Sequence, residues 1–136
     1  MGNAPDRSGI VGLMNAIEGA WNAGDEKSYA RLYARDAEYL TRAGILWEGR
    51  TAIERGHAAA FHGDLKGTVL RIQIKRLRFL TLRTAVAHCA VEVSGGARHI
   101  HKVRAVTRFE LRKKPDSLGN CGGANARDFS AQIMTG

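Results

Sequence analysis

The sequence contains little cysteine and proline, and it has no long apolar run. Among its 136 residues, Cys89 and Cys121 are the two cysteines, and without a CxxC spacing we expect free thiols rather than a disulfide or a metal site. No apolar stretch approaches the roughly 20 residues of a membrane span. The polar segment 1–9 lacks the apolar core of a secretory signal. We therefore expect a soluble cytoplasmic protein that does not contact a membrane.

Length and composition indicate one globular domain over residues 1–136. A chain of this length buries roughly two thirds of its unfolded surface, enough for a core without staples. Hydrophobic residues make up 44% and charged residues 25%, which is ordinary for a folded protein. The formal net charge is +8, with basic residues concentrated between Lys66 and Lys114. This charge makes a polyanion partner one hypothesis.

Apolar residues recur at every third or fourth position over 9–22, which predicts a first helix. Ser8 is expected to cap its start, because a serine hydroxyl accepts a bond from a free N–H of the first turn. Gly24 is expected to end the helix, since glycine readily adopts the left-handed conformation found there. Residues 1–8 are expected to form a flexible arm.

A second helix is expected to start at the cap residue Asp25 and to end near residue 36. The alternation that follows predicts a strand over 37–42, a turn at 43–44 and a short strand over 45–48. These elements form a hairpin between the second and third helices.

The third helix is predicted from a capping box, with Thr51 at the cap and Glu54 three residues later. The helix is expected to close at Gly63. Its apolar face comprises Ile53, His57, Ala60 and Phe61.

Alternation with period two predicts three long strands in the second half, over 68–79, 84–93 and 99–112. The polar pair 75–76 interrupts the first of them and predicts a bulge that bends the strand. A Gly-rich loop is expected over 115–126, followed by a last strand over 129–134. The order predicts an α+β fold, with three N-terminal helices packed on a bent, mostly antiparallel sheet and a ligand cavity at its open end.

Three segments carry a resemblance to a known superfamily, and they are Trp21-Asn22-Ala23-Gly24-Asp25, Leu32-Tyr33-Ala34-Arg35-Asp36-Ala37 and Trp47-x-Gly49-Arg50-x-Ala52-Ile53. Together they resemble the nuclear transport factor 2-like superfamily, and within it the SnoaL-like group of small bacterial SgcJ/EcaC-type proteins. The resemblance implies a cone-shaped, cystatin-like domain and a homodimer formed through the outer face of the sheet. It leaves function open, because this fold hosts isomerases, dehydratases, polyketide cyclases and non-catalytic binders.

The resemblance also assigns positions to one reaction, steroid isomerisation. Family members of that type use a tyrosine in the first helix, an aspartate base after the second helix and a protonated aspartate on a later strand. Ile17 and Thr41 stand at the first two positions, and Glu110 is the one carboxylate of the strand over 99–112. This reaction is therefore not expected, and whether the protein is an enzyme stays open.

The cavity is expected to hold a small hydrophobic or aromatic ligand. The residues expected to line it are Trp21, Tyr39, Thr41, Trp47 and Phe61. Plain core packing is the alternative for the aromatic residues. His57 and His88 are the candidate proton carriers, because histidine titrates near neutral pH and His88 shares a strand face with Glu92. A structural role is the alternative for each histidine.

No metal and no cofactor are expected. His99 and His101 share a strand face, but no third ligand stands at a defined spacing. No phosphate-binding loop or nucleophile motif occurs.

Basic residues on the strands over 68–79 and 99–112 form one cationic face if these strands adjoin. No aromatic residues interleave with them, so nucleic-acid binding is not favoured. The leading hypothesis is a pocket protein for a small molecule, with isomerase, cyclase or dehydratase-type proton transfer as its chemistry. The alternatives are a non-catalytic binding or assembly module and, behind it, a polyanion binder.

Overall fold

The structure is a computed structural model, and it describes residues 7–41, 43–96, 100–113 and 129–134. The helices are α1 (Arg7–Asn22), α2 (Glu26–Arg31) and α3 (Arg50–His62). The strands are β1 (Glu38–Leu40), β2 (Leu46–Glu48), β3 (Thr68–Phe79), β4 (Thr84–Gly95), β5 (Ile100–Lys113) and β6 (Phe129–Met134). The six strands form one sheet in the order β2-β1-β6-β5-β4-β3, in which the β1–β6 pair is parallel and every other pair is antiparallel. This architecture confirms the α+β expectation.

The core lies between the helices and the inner face of the sheet. Alternation places apolar side chains of β3, β4 and β5 on this face, where Leu70, Cys89 and Phe109 are buried. The buried stripe of α1 packs against them and comprises Ile10, Leu13, Met14, Ile17, Ala20 and Trp21. Side chains of α1 also accept hydrogen bonds from backbone N–H groups of β3, which closes part of that edge of the sheet.

The bulge predicted in the first long strand is confirmed. The pairing of β3 with β4 shifts between Ile74 and Arg76, so Lys75 has no partner in the register. Inward-facing positions therefore change from even to odd numbers, and Leu77 and Phe79 rejoin the apolar face. Such a shift bends the strand and curves the sheet around the helices.

Two helix starts differ from their predictions. α1 begins at Arg7, so Ser8 lies inside its first turn instead of capping it. α3 begins at Arg50 with Gly49 as its N-cap residue at φ 89°, and no side chain caps it. The capping box of Thr51 is therefore wrong, because backbone carbonyls of residues 35 and 37 accept the N–H groups of Arg50 and Gly49.

The second helix is shorter than predicted and ends at Arg31. Backbone groups of Leu32 and Ala34 exchange hydrogen bonds with Ala131 of β6, at 3.0 and 3.1 Å. The backbone groups of Leu32 and Ala34 are used in this bridge to the sheet and are not available to extend the helix. The predicted cap at Asp25 is confirmed, since its carboxylate accepts the N–H of Ser28 at 3.1 Å.

Several expectations lie outside the described residues, including most of the N-terminal arm, the Gly-rich loop over 115–126 and the thiol of Cys121. Cys89 is a free, buried thiol, and burial raises its pKa to about 11, so it is protonated at neutral pH. Of the helices described, none has the length and apolar character that crossing a membrane requires.

Candidate functional site

A cavity of about 1280 Å³ opens between the helices and the inner face of the sheet. Apolar residues of the long strands form one wall, and they are Leu70, Ile72, Val91, Val93, Val103 and Ala105. Aromatic residues of the helices and of the short hairpin form the facing wall. Among the described lining residues, none is a lysine or an arginine, and Asp64 is the one carboxylate.

His57 lies at the centre of the aromatic wall, on the buried face of α3. Its side chain is 3% exposed. Five aromatic rings surround it, with centroids 4.3–5.8 Å from the imidazole, and they belong to Trp21, Tyr29, Tyr39, Trp47 and Phe61. Burial lowers the pKa of His57 to about 4, so the ring is neutral at physiological pH.

The two nitrogens of His57 have different partners. Nδ1 lies 2.9 Å from the carbonyl oxygen of Ile53, one helical turn earlier. A carbonyl oxygen only accepts hydrogen bonds, so Nδ1 carries the proton of the neutral ring. Nε2 is then an acceptor, and it lies 3.1 Å from the hydroxyl of Tyr39.

Three tyrosine hydroxyls continue this hydrogen-bond chain. Tyr39 lies 3.1 Å from the hydroxyl of Tyr29, to which Tyr33 donates at 2.8 Å. Burial raises the pKa of all three phenols, which are therefore protonated at neutral pH. We call Tyr33, Tyr29, Tyr39 and His57 the tyrosine–histidine chain.

Trp47 closes the hairpin side of the wall. Its indole stacks on the Tyr39 ring at 5.5 Å between centroids and 24° between planes. The approach to α3 is permitted by Gly56, since a Cβ atom there would overlap three atoms of the Trp47 ring. The small residue thus brings the indole onto the helix that carries His57.

Four of the five residues predicted to line the pocket do so, namely Trp21, Tyr39, Thr41 and Trp47. Phe61 is 5% exposed and packs behind the wall against Trp21 and His57. The indole N–H of Trp21 donates to the hydroxyl of Thr68 at 3.0 Å, which fixes its ring against the sheet.

His88 is the predicted site residue that the structure places elsewhere. Its neighbour Cys89 points into the core, so alternation turns His88 to the outer face of β4, where Arg76 and Arg108 are its register partners. The sheet separates it from the cavity, so its expected place in the pocket is wrong. Glu92 shares the outer face but lies four residues, about 13 Å, along the strand.

The positions that the resemblance assigns to isomerase chemistry do face the cavity. Ile17 and Thr41 both line it, and neither supplies the required donor or base. Glu110 lies on the outer face, opposite Val86. The structure thus puts residues without that chemistry at the matched positions.

Sequence reasoning missed Tyr29 and Tyr33 as site residues. Both stand on one face of the predicted second helix, which indicates burial, but nothing in the sequence places their hydroxyls beside that of Tyr39. The shared helical face indicates that the two tyrosines are buried. It does not indicate the contact between the hydroxyls of Tyr29 in α2 and Tyr39 in β1, because that contact depends on how the two elements pack.

The cationic residues lie on the outer face, but β3 and β5 do not adjoin, because β4 pairs with both. Arg104 forms a 3.3 Å ion pair with Glu92 of β4. Among the described residues, no three histidine, cysteine or acidic side chains converge on a point that could hold a metal. His99 and the side chain of His101 lie outside the described residues.

Comparisons with known proteins agree with this fold. No protein-family model matches the chain, and a search of curated proteins finds no significant match. A cystatin-like domain of unknown function from Nostoc punctiforme superposes with a TM-score of 0.74 at 20% identity, over 96% of this chain and 78% of that chain. A nuclear transport factor 2-like protein of unknown function from Shewanella oneidensis gives 0.72 at 15% identity, over 93% and 96%.

A protein from Novosphingobium aromaticivorans, provisionally described as a scytalone dehydratase, is also similar. It gives a TM-score of 0.70 at 12% identity, over 95% of this chain and 83% of that chain. Identities this low show the fold alone. The chain therefore has the nuclear transport factor 2-like, cystatin-like fold that its sequence predicts.

Proposed function

We propose that this protein binds a small apolar or aromatic molecule in the cavity between its helices and sheet. The observation that carries the proposal is the cavity itself, about 1280 Å³ with an apolar strand wall facing an aromatic wall. Ligand sites are typically concave, mostly apolar and equipped with a few convergent polar groups. The tyrosine–histidine chain supplies such groups in one place.

The lining supports an uncharged ligand. Each Å² of apolar surface removed from water contributes roughly 25 cal/mol, and aromatic rings add edge and stacking contacts. A carboxylate or phosphate would find no described cation on the wall, and Asp64 would repel it. The ligand class is therefore a neutral hydrophobic or aromatic molecule.

A neutral fluorescent probe, N-phenyl-1-naphthylamine, tests this function. We expect saturable binding, with quenching of the tryptophan emission because Trp21 and Trp47 line the cavity. Ile72→Trp should reduce the affinity at least roughly tenfold, because the larger side chain projects into the cavity and takes up part of the space for the probe. Gln73→Trp, one residue further on the exposed outer face, is the matched control and should bind like the wild type.

Two outcomes contradict the proposal. One is that neither this probe nor other neutral aromatic probes bind the folded protein. The other is that Ile72→Trp and Gln73→Trp bind equally well, which would place the probe outside the cavity.

We also propose His57 as the proton carrier of any reaction in this cavity, in the role of a base that acts through the Tyr39 hydroxyl bonded to its Nε2. It is the histidine of the described cavity wall, and its low pKa keeps it unprotonated at neutral pH. The same low pKa makes it a poor general acid. Binding without turnover is the alternative, and it is supported by the residues at positions 17 and 41.

A further inference from the structure

We infer that the ligand of this cavity presents a hydrogen-bond donor, a hydroxyl or an N–H group, to the oxygen of Tyr39. The inference deepens the proposed binding function and rests on it. It follows from counting the protons of the tyrosine–histidine chain.

The single N–H of neutral His57 donates to the carbonyl oxygen of Ile53. The other nitrogen, Nε2, is buried and needs a donor. Among the described residues, Tyr39 is the partner within hydrogen-bond reach of Nε2, so its only hydroxyl proton points to Nε2.

Each remaining proton then has one place to go. Because Tyr39 has given its proton to His57, Tyr29 must donate in the bond between their hydroxyls. Tyr33 in turn donates to Tyr29. All three hydroxyl protons point the same way along the chain, and none is left to bind a ligand.

Unused acceptor capacity remains on the cavity wall. A phenol oxygen accepts up to two hydrogen bonds, and the oxygens of Tyr39 and Tyr29 each accept one within the chain. Both residues line the cavity. A ligand hydroxyl can therefore donate to Tyr39 without breaking any bond.

A ligand carbonyl at the same place would meet an oxygen lone pair. To be bound there it would have to take the proton of Tyr39, which would leave Nε2 of His57 buried without a donor. The hydroxyl of Thr107, on the inner face of β5, can serve an acceptor elsewhere on the ligand. The requirement at Tyr39 is for a donor.

Three probes of one shape test the inference: 2-naphthol carries a donor, 2-methylnaphthalene has no polar group, and 2-naphthaldehyde carries only an acceptor. Affinities are measured by displacement of N-phenyl-1-naphthylamine. We expect 2-naphthol to bind roughly three- to tenfold more tightly than 2-methylnaphthalene, and 2-naphthaldehyde to bind the most weakly.

His57→Phe should reverse this order. Without Nε2 the proton of Tyr39 is free to enter the cavity, so 2-naphthaldehyde should gain on 2-naphthol by a similar factor. His62→Phe is the matched control, because it makes the same exchange at the exposed end of α3, away from the cavity wall, and should keep the wild-type order.

The failures are distinguishable. Wild-type protein that binds 2-naphthaldehyde as tightly as 2-naphthol overturns the inference and leaves the pocket function standing. Protein that binds none of the probes overturns the pocket function and the inference with it. The wild-type comparison decides even where His57→Phe does not fold.

Discussion

His57 is neutral in the folded protein and titrates in the unfolded chain, and this difference links its burial to stability. Above pH 6.5 the ring is neutral in both states. As the pH falls from 6.5 towards about 4, the unfolded chain takes up a proton that the folded chain does not. The folded state therefore loses stability across this window and keeps it at higher pH.

We predict that the free energy of unfolding falls by about 2 kcal/mol between pH 7 and pH 5 because of His57 alone. Urea titrations of the wild type and His57→Gln at both pH values measure it, as the difference between their two losses. His62→Gln, at the exposed end of the same helix, is the control and should follow the wild type. Equal losses in the wild type and His57→Gln would contradict the prediction.

For single residues, the sequence predicts which side chains are buried better than it predicts their hydrogen-bond partners. The sequence predicts that His57 is buried, because it shares the apolar face of its helix with Ile53 and Phe61, and in the structure all three are buried. For His88 the predicted place in the pocket is wrong. Its neighbours Ala87 and Cys89 are buried against the core, so alternation along the strand turns His88 to the outer face. The hydroxyl contacts of Tyr29 could not be predicted, because they depend on distances of about 3 Å between separate elements.

Among the elements, α3 is positioned by glycines at two points. Gly49 starts it in a backbone conformation that other residues rarely adopt, and Gly56 lets the Trp47 ring lie against its surface. The helix thereby presents His57 to the cavity with the indole closing one side.

Gly56→Ala is predicted to destabilise the protein by about 1–3 kcal/mol, because the new methyl group overlaps the indole and forces it to move. It should also weaken N-phenyl-1-naphthylamine binding, since Trp47 lines the cavity. Thermal or urea unfolding measures the first effect and the probe titration the second.

Gly19→Ala in α1 is the matched control. A Cβ atom there meets nothing within 4 Å, so the change should stabilise the protein by up to about 1 kcal/mol through helix propensity. Gly56→Ala protein as stable as Gly19→Ala protein would contradict the close approach of Trp47.

Strand positions were easier to predict than helix ends. The long strands carry their period-two pattern over a dozen residues, and even the bulge at Lys75 is visible as an interruption. Helix ends depend on which groups take their free N–H and C=O groups. At the end of α2 the hydrogen-bond partner is the backbone of Ala131, and at the start of α3 it is the backbone carbonyl of Arg35. Both partners are distant in sequence, so no local motif predicts them.

For the whole molecule, the homodimer through the outer face of the sheet stays a prediction. The face carries exposed arginines of β3 and β5, and Val106 of β5 is 66% exposed. Two copies meeting there would bring like charges together. Association through this face should therefore strengthen as salt rises, because salt screens the repulsion.

Sedimentation equilibrium at low and high salt measures this association. Val106→Arg should abolish it, whereas Val11→Arg, at a valine of α1 that is 44% exposed, should leave it unchanged. Association that weakens with salt, or that survives Val106→Arg, would contradict a dimer built on this face.

β6, the last of the described strands, lies in the interior of the sheet. β6 pairs with β1 on one side and β5 on the other, and Ala131 also bridges to Tyr33. The hairpin of β1 and β2 therefore has no ladder to the three long strands until residues 129–134 are in place. Bringing β1 and β6 together closes a long loop of chain, which costs conformational entropy and slows folding. During synthesis the sheet can therefore be completed only after residues 129–134 have left the ribosome, later than the other five strands.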